Sequence, residues 1–164
     1  MLSRAGKLNL LLKELNWLSI STFGNRKILQ KTVYILHEMG LKSSYSYNWY
    51  LHGPYSPDLA EDAYEIESNK SYYDQAVSDY KFKDNAKIII QNFKDVFQGK
   101  ENNDVWLELI CSLLFLKRYY KQDDAKLRSM LLSRKPQFKN NPSIVDKAIS
   151  FINENFDRQR SDAY

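Results

Sequence analysis

Residues 105–116 (VWLELICSLLFL) constrain this chain more than any other stretch. Apolar side chains run nearly all the way round the helical turn, interrupted only by Glu108 and Ser112, which is the pattern of a helix enclosed by other helices. The run falls short of the roughly 20 residues a membrane span needs, so it is expected at the centre of a folded core. The rest of the chain must then supply the enclosing helices. Five Gly and four Pro in 164 residues argue against a turn-dense β sandwich or barrel. An apolar share of 43% is enough to offset the entropy of ordering the backbone. The expected class is mostly α, as a single helical domain over 1–158 with halves at 1–83 and 84–158 and a tail at 159–164.

Helical spacing over 5–18 sets Leu8, Leu11, Leu12, Leu15 and Leu18 on one face. A second helix is expected from Asn25 as N-cap to a stop at Gly40, with Leu29, Val33 and Leu36 inward and Lys27, Lys31, Tyr34 and Glu38 on its outer face. Over 44–51 the period changes to two, which predicts a strand, and His52-Gly53-Pro54-Tyr55 reads as a turn. Ser56 followed by Pro57 opens a third helix to about Glu67. Residues 69–83 read as a loop or short hairpin. Asp84 is expected to cap a fourth helix burying Ile88, Ile89, Phe93, Val96 and Phe97; a short helix over 123–135 ends at Pro136, and Asn141-Pro142 starts the last one.

Signatures of catalysis are sparse. The glycines at 6, 24, 40, 53 and 99 fit neither a phosphate-binding loop nor a dinucleotide fingerprint. Only His37 and His52 could act as an imidazole base, and no nucleophile elbow accompanies them. With one cysteine, Cys111, no disulfide framework or Cys/His zinc site can be assembled within the chain. Cys111 reads as a small buried hydrophobe. Glu108 lies either on an exposed stripe with Asp104 and Ser112 or inside with a cationic or hydrogen-bonding partner; the i, i+4, i+8 spacing favours the stripe. The expectation is a non-enzymatic protein without cofactor or metal. Arg4 and Lys7 precede an apolar run broken by Lys13 and Glu14, which is helical and not a signal peptide, so a reducing cytoplasm is expected.

Charge is unevenly spread. Residues 54–69 hold five acids and no base, and Asp58, Glu61, Asp62 and Glu65 share one helix face as a solvated or docking surface. Residues 117–139 hold eight bases against two acids, with Tyr119, Tyr120 and Phe138 interleaved. Lys117, Arg118, Lys121, Arg128, Arg134, Lys135 and Lys139 could follow a phosphate backbone there by counterion release.

The segment Arg26 to Leu36 (RKILQKTVYIL), the tyrosine-rich strand and Tyr50-Leu51-His52-Gly53-Pro54-Tyr55-Ser56 resemble the YwgA-like family of prokaryotic proteins and, more distantly, the Panacea domain of SocA-type antitoxins. Lys27, Leu29, Lys31, Tyr34, Gly53 and Pro54 carry the likeness, and Trp106-Leu107-Glu108-Leu109 and Lys135-Pro136-Gln137-Phe138 extend it. The resemblance implies a winged-helix-like helical domain in regulatory or toxin–antitoxin settings. Two expectations follow: a regulatory protein-interaction module, antitoxin-like or adaptor-like, binding a protein partner through Tyr50, His52, Tyr55 and the acidic helix, or a nucleic-acid-binding regulator using the basic 117–139 surface. No membrane partner is expected, and no residue pattern assigns an oligomeric state.

Overall fold

The computed structural model describes residues 1–156, so the expected tail at 159–164 lies outside the described residues. The architecture is mostly helical with one two-stranded antiparallel sheet. In chain order come α1 (Arg4–Glu14), α2 (Phe23–Glu38), β1 (Asn48–Tyr50), β2 (Gly53–Tyr55), α3 (Pro57–Ser68), α4 (Lys70–Ala76), α5 (Asp84–Val96), α6 (Asp104–Tyr120), α7 (Asp124–Arg134), a short 3-10 turn (Pro136–Asn140) and α8 (Pro142–Asn155). None of these helices is long and apolar enough to cross a membrane.

As the apolar run requires, α6 is the hub: Trp106, Leu107, Leu109, Ile110, Cys111 and Leu113 to Leu116 are buried against α2, α7, α8 and β2. Each such side chain removed from water contributes roughly 1.5–3 kcal/mol before ordering costs are subtracted. One continuous apolar cluster runs from Ala5 to Phe156 and takes residues from both halves of the chain. Local signals place the helix ends. Thr22, Ser56, Asn103 and Asp123 each accept a hydrogen bond from a first-turn amide of α2, α3, α6 and α7, and Gly40, with φ of 110°, takes the left-handed conformation just beyond α2.

Several expectations need correction. Residues 69–83 are a loop only over 77–83, because Lys70–Ala76 is α4, held by Tyr73 and Val77 in the interior and by Asp74, which accepts from Asn9 and Lys70. Only Asn48–Tyr50 of 44–51 pairs; Tyr45 and Tyr47 still alternate inward, but they insert among helices and have no partner strand. Gly53–Tyr55, expected as a turn, is β2, in register Asn48 with Tyr55, Trp49 with Pro54 and Tyr50 with Gly53. Helix α2 starts at Phe23 on the Thr22 cap, two residues before Asn25, and α1 stops at Glu14, short of Leu18. Asp84 is the first residue of α5 and makes no cap, and Ile90 takes the buried place given to Ile88, which is exposed.

The largest correction concerns the supposed outer face of α2. Lys31 and Tyr34 are 2% and 3% exposed because α6 lies along that face. Lys27 and Lys31 meet Asp104 at the start of α6, and Glu38 meets Arg118 near its end, so the two helices run side by side in the same direction.

Candidate functional site

Gly53 lets the β1–β2 hairpin come close to α6. Its φ of 100° is open to glycine alone at little cost, and a Cβ there would stand 3.2 Å from Ser112 Oγ. Glu108 and Ser112 are therefore not on an exposed stripe: Ser112 is fully buried and the Glu108 side chain is 14% exposed, both beneath the hairpin. Glu108 has the cationic partner that burial demands. Lys135 Nζ lies 3.4 Å from Glu108 Oε1, donates to the Leu51 carbonyl at 2.7 Å and sits over the Trp49 ring. Burial pulls the Lys135 ammonium below the usual lysine range, opposed by Glu108. On the other side, Gln30 brackets Ser56, its Nε2 donating to the Ser56 carbonyl at 2.8 Å and its Oε1 accepting from the Ser56 amide at 2.9 Å. The hairpin is thus fixed from α2, α6 and the end of α7 at once.

Between the hairpin, the first half of α2 and one face of α3 opens a groove of about 390 Å³. Its apolar walls are Phe23, Leu29, Tyr50, Leu51, Tyr55 and Tyr64. Four of these remain largely in water: Phe23 is 66% exposed, Tyr50 48%, Leu51 82% and Tyr64 53%. Arg26, Lys27, Lys31 and His52 supply its ionisable lining, and no carboxylate is among the lining residues. Asp104 accepts from both Lys27 and Lys31 from outside the groove; burial works against its charge, but the two ammonium groups hold its carboxyl below the ordinary range. Arg26 stacks on Tyr64 with 4.7 Å to the ring centroid and donates to the Ile20 carbonyl. Tyr50 and Tyr55 form a tilted ring pair at 5.0 Å.

The expected interaction residues divide. Tyr50, His52 and Tyr55 line the groove; His52 Nδ1 is 3.7 Å from Glu108 Oε1. The acidic residues do not line it, and the shared solvated face holds for Asp58, Glu61 and Glu65, which are exposed, but not for Asp62. Asp62 is buried, accepting from Arg4 Nε at 2.7 Å and the Tyr45 hydroxyl at 2.7 Å, because α1 packs across α3. Asp58 also meets Arg4, and Glu65 accepts from Asn69 and Tyr73. Glu61 is exposed.

The basic residues of 117–139 are scattered. Lys135 is buried under the hairpin and unavailable to a phosphate backbone. Arg118 pairs with Glu38 and Arg128 with Asp146, each by a hydrogen bond under 3 Å. Lys117 donates to Asn153, and Arg134 lies over Tyr120 and Trp49. Lys121 and Lys139 are exposed.

Nucleophilic groups near the hairpin are shut away. Burial pushes the Cys111 thiol well up, and Cys111 donates to the Lys31 carbonyl. Ser112 Oγ is enclosed without a hydrogen-bond partner. Among the described residues no three His, Cys, Asp or Glu side chains gather as a metal site would require.

Phe23, Gln30, Leu51, Asp104 and Glu108 were not read as site residues from the sequence. A usable signal existed for one of them: Gln30 and Lys31 are polar residues inside an otherwise apolar helical run, which marks buried polar groups needing partners. Of the six residues that carry the resemblance given above, Lys27, Leu29, Lys31, Gly53 and Pro54 line the groove and Tyr34 does not. No family model, curated protein or solved structure matches the chain.

Proposed function

We propose that this protein is a non-enzymatic regulatory interaction module, antitoxin-like or adaptor-like and cytoplasmic, whose partner is another protein seated in the groove beside the hairpin. The observation that carries the reading is the clustering of Phe23, Tyr50, Leu51 and Tyr64, large apolar side chains left in water around one concave surface. Contiguous exposed apolar surface of this kind marks a surface awaiting a partner, and tyrosines supply wide amphipathic contact with few rotatable bonds to freeze. The hairpin that presents them is held rigidly, so little ordering cost falls on binding. Seclusion of Cys111 and Ser112 supports a role without covalent catalysis.

The finer family reading belongs to the same proposal. Its support is the likeness of the Lys27–Tyr34 and Gly53-Pro54 segments to YwgA-like and Panacea sequences, and the order α1, α2, β1, β2, α3, in which a hairpin stands where the winged-helix order has one strand; α4 occupies the first part of 69–83, where a loop or short hairpin is expected. The competing reading, a nucleic-acid-binding regulator on 117–139, has weaker support, since Lys135 is enclosed and Arg118 and Arg128 are paired.

The test is affinity capture from the encoding organism, comparing the wild type with a Tyr50→Ala, Leu51→Asp double variant. Both side chains are exposed, so the fold is retained. The reading expects at least one protein held by the wild type and lost from the variant; identical captured sets would overturn it.

A further inference from the structure

We infer that the groove takes a partner segment in which an aromatic or leucine anchor is flanked by acidic residues. The inference rests on the interaction reading above and adds the chemistry of the occupant. Three cations, Arg26, Lys27 and Lys31, stand along one wall and, among the described residues, no carboxylate lines the groove. Lys27 and Lys31 share a single carboxylate, Asp104, which leaves one positive charge uncompensated. Among the described residues Arg26 has one ion pair, 3.8 Å to the part-exposed Glu67. A positive surplus beside an apolar floor is a low-dielectric cleft that focuses its field on the opening, so carboxylates are drawn to the mouth and ammonium groups are turned away. This is the reverse of the basic partner that an acidic docking helix would have selected.

A peptide segment fits better than a small organic anion because the apolar surface does not stop at the cavity. Leu51 stands out at the hairpin tip and Phe23 at the opposite rim, both mostly in water. Both line the groove and keep 82% and 66% of their surface in water, more apolar area than a compact occupant of about 390 Å³ covers. A chain crossing the groove covers both, with its anchor between Tyr50, Tyr55 and Tyr64 and its carboxylates beside Arg26 and Lys27.

The experiment is selection of a random peptide library displayed on phage against the full chain, with removal of clones that also bind Leu51→Asp. Selected peptides are then titrated by fluorescence anisotropy at low and high salt against wild type, Arg26→Ala and Lys27→Ala. Supporting results are enrichment of aromatic or leucine anchors with flanking Asp or Glu, a loss of roughly threefold to tenfold in affinity with each alanine variant, and weakening by salt. Groove-dependent peptides that are neutral or basic would overturn this inference and leave the interaction reading standing. Absence of any peptide sensitive to Leu51→Asp would overturn both. A labelled oligonucleotide that binds through Arg26 and Lys27 where no peptide does would overturn the peptide assignment in favour of a nucleic acid. Thermal unfolding of each variant separates lost binding from lost fold; a modest fall in midpoint is expected for Arg26→Ala and Lys27→Ala, whose side chains are 21% and 24% exposed and hold the Ile20 carbonyl and Asp104.

Discussion

The two flanks of α6 hold the molecule together by different means. Towards α5 and α8 the joint is made of rings: Trp17 stacks on Phe93, Phe93 on Phe97, Phe97 meets Phe151 edge-on, and Phe151 meets Trp106 the same way. Towards α2 and the hairpin the joint is polar and titratable: Lys31 with Asp104, Lys135 with Glu108 and the Leu51 carbonyl, Gln30 with Ser56, and a buried set of Tyr34, Tyr45 and Tyr47. Ring contacts tolerate small shifts and contribute in proportion to area. Buried polar pairs contribute less net energy but demand one geometry, since a misplaced partner leaves an unsatisfied group. The ring flank therefore supplies bulk stability, and the polar flank fixes where the groove lies.

High pH should separate the flanks most strongly. Burial first, aided at Tyr45 by its hydrogen bond to Asp62, raises the phenols of Tyr34, Tyr45 and Tyr47 well above their usual 10.0. Raised folded-state values mean that stability is complete below pH 10.0 and is lost as the unfolded chain begins to give up these protons. With three such groups the loss at pH 11 reaches about 4 kcal/mol. Stability followed by urea unfolding at stepped pH, with phenolate absorbance as the second probe, checks this; the ring flank contributes nothing that titrates there.

Phe97→Ala should cost about 3–4 kcal/mol by opening a cavity between Phe93 and Phe151, while peptides selected on the groove keep their affinity for the folded variant. Glu108→Leu should cost about 3 kcal/mol by stranding the enclosed Lys135 ammonium and should also weaken groove binding. Adding Lys135→Met should recover much of the stability. A double-mutant cycle measured by denaturant unfolding gives the coupling, and a near-zero value would erase the proposed difference between the flanks. Gln30→Leu leaves the Ser56 amide unpaired and removes one of two donors from its carbonyl, which still accepts from the Ala60 amide, and should cost about 2 kcal/mol, with faster hydrogen exchange confined to the hairpin and the first turn of α3. Smallest is Asp123→Ala, about 1 kcal/mol for a lost helix cap on α7, visible as a lower thermal midpoint with groove affinity unchanged.

The ring flank was far more legible in the sequence than the polar one. A run such as 105–116 announces its burial wherever its neighbours come from, and the Ser56-Pro57 and Asn141-Pro142 starts depend only on local chemistry. A helical wheel treats charge as outward, so it turns Lys31 to solvent and favours an exposed stripe for Glu108, and their partners are distant in sequence: Asp104 for one, Lys135 for the other. Asp58, Glu61, Asp62 and Glu65 do fall along one side of α3, but periodicity cannot reveal that Arg4 lies across it. Helix α4 escaped for a related reason: KSYYDQA has no apolar period, and its helix is held by Tyr73 and Val77 reaching the interior. Of the site itself, Tyr50, His52 and Tyr55 were legible as an aromatic cluster at a turn. Phe23 and Leu51 were not, because single exposed apolar residues stand out only once space brings them together.

The hydrogen bond from Lys135 to the Leu51 carbonyl has a bearing on how the protein comes into being. Among the described residues the lining of the groove lies between positions 23 and 64, so a nascent chain carries it before α6 and α7 are made. The parts that hold that surface in shape, Asp104, Glu108, Ser112 and finally Lys135, are translated later. A partner that reads the assembled groove would engage finished chains and pass over the growing or truncated ones beside them.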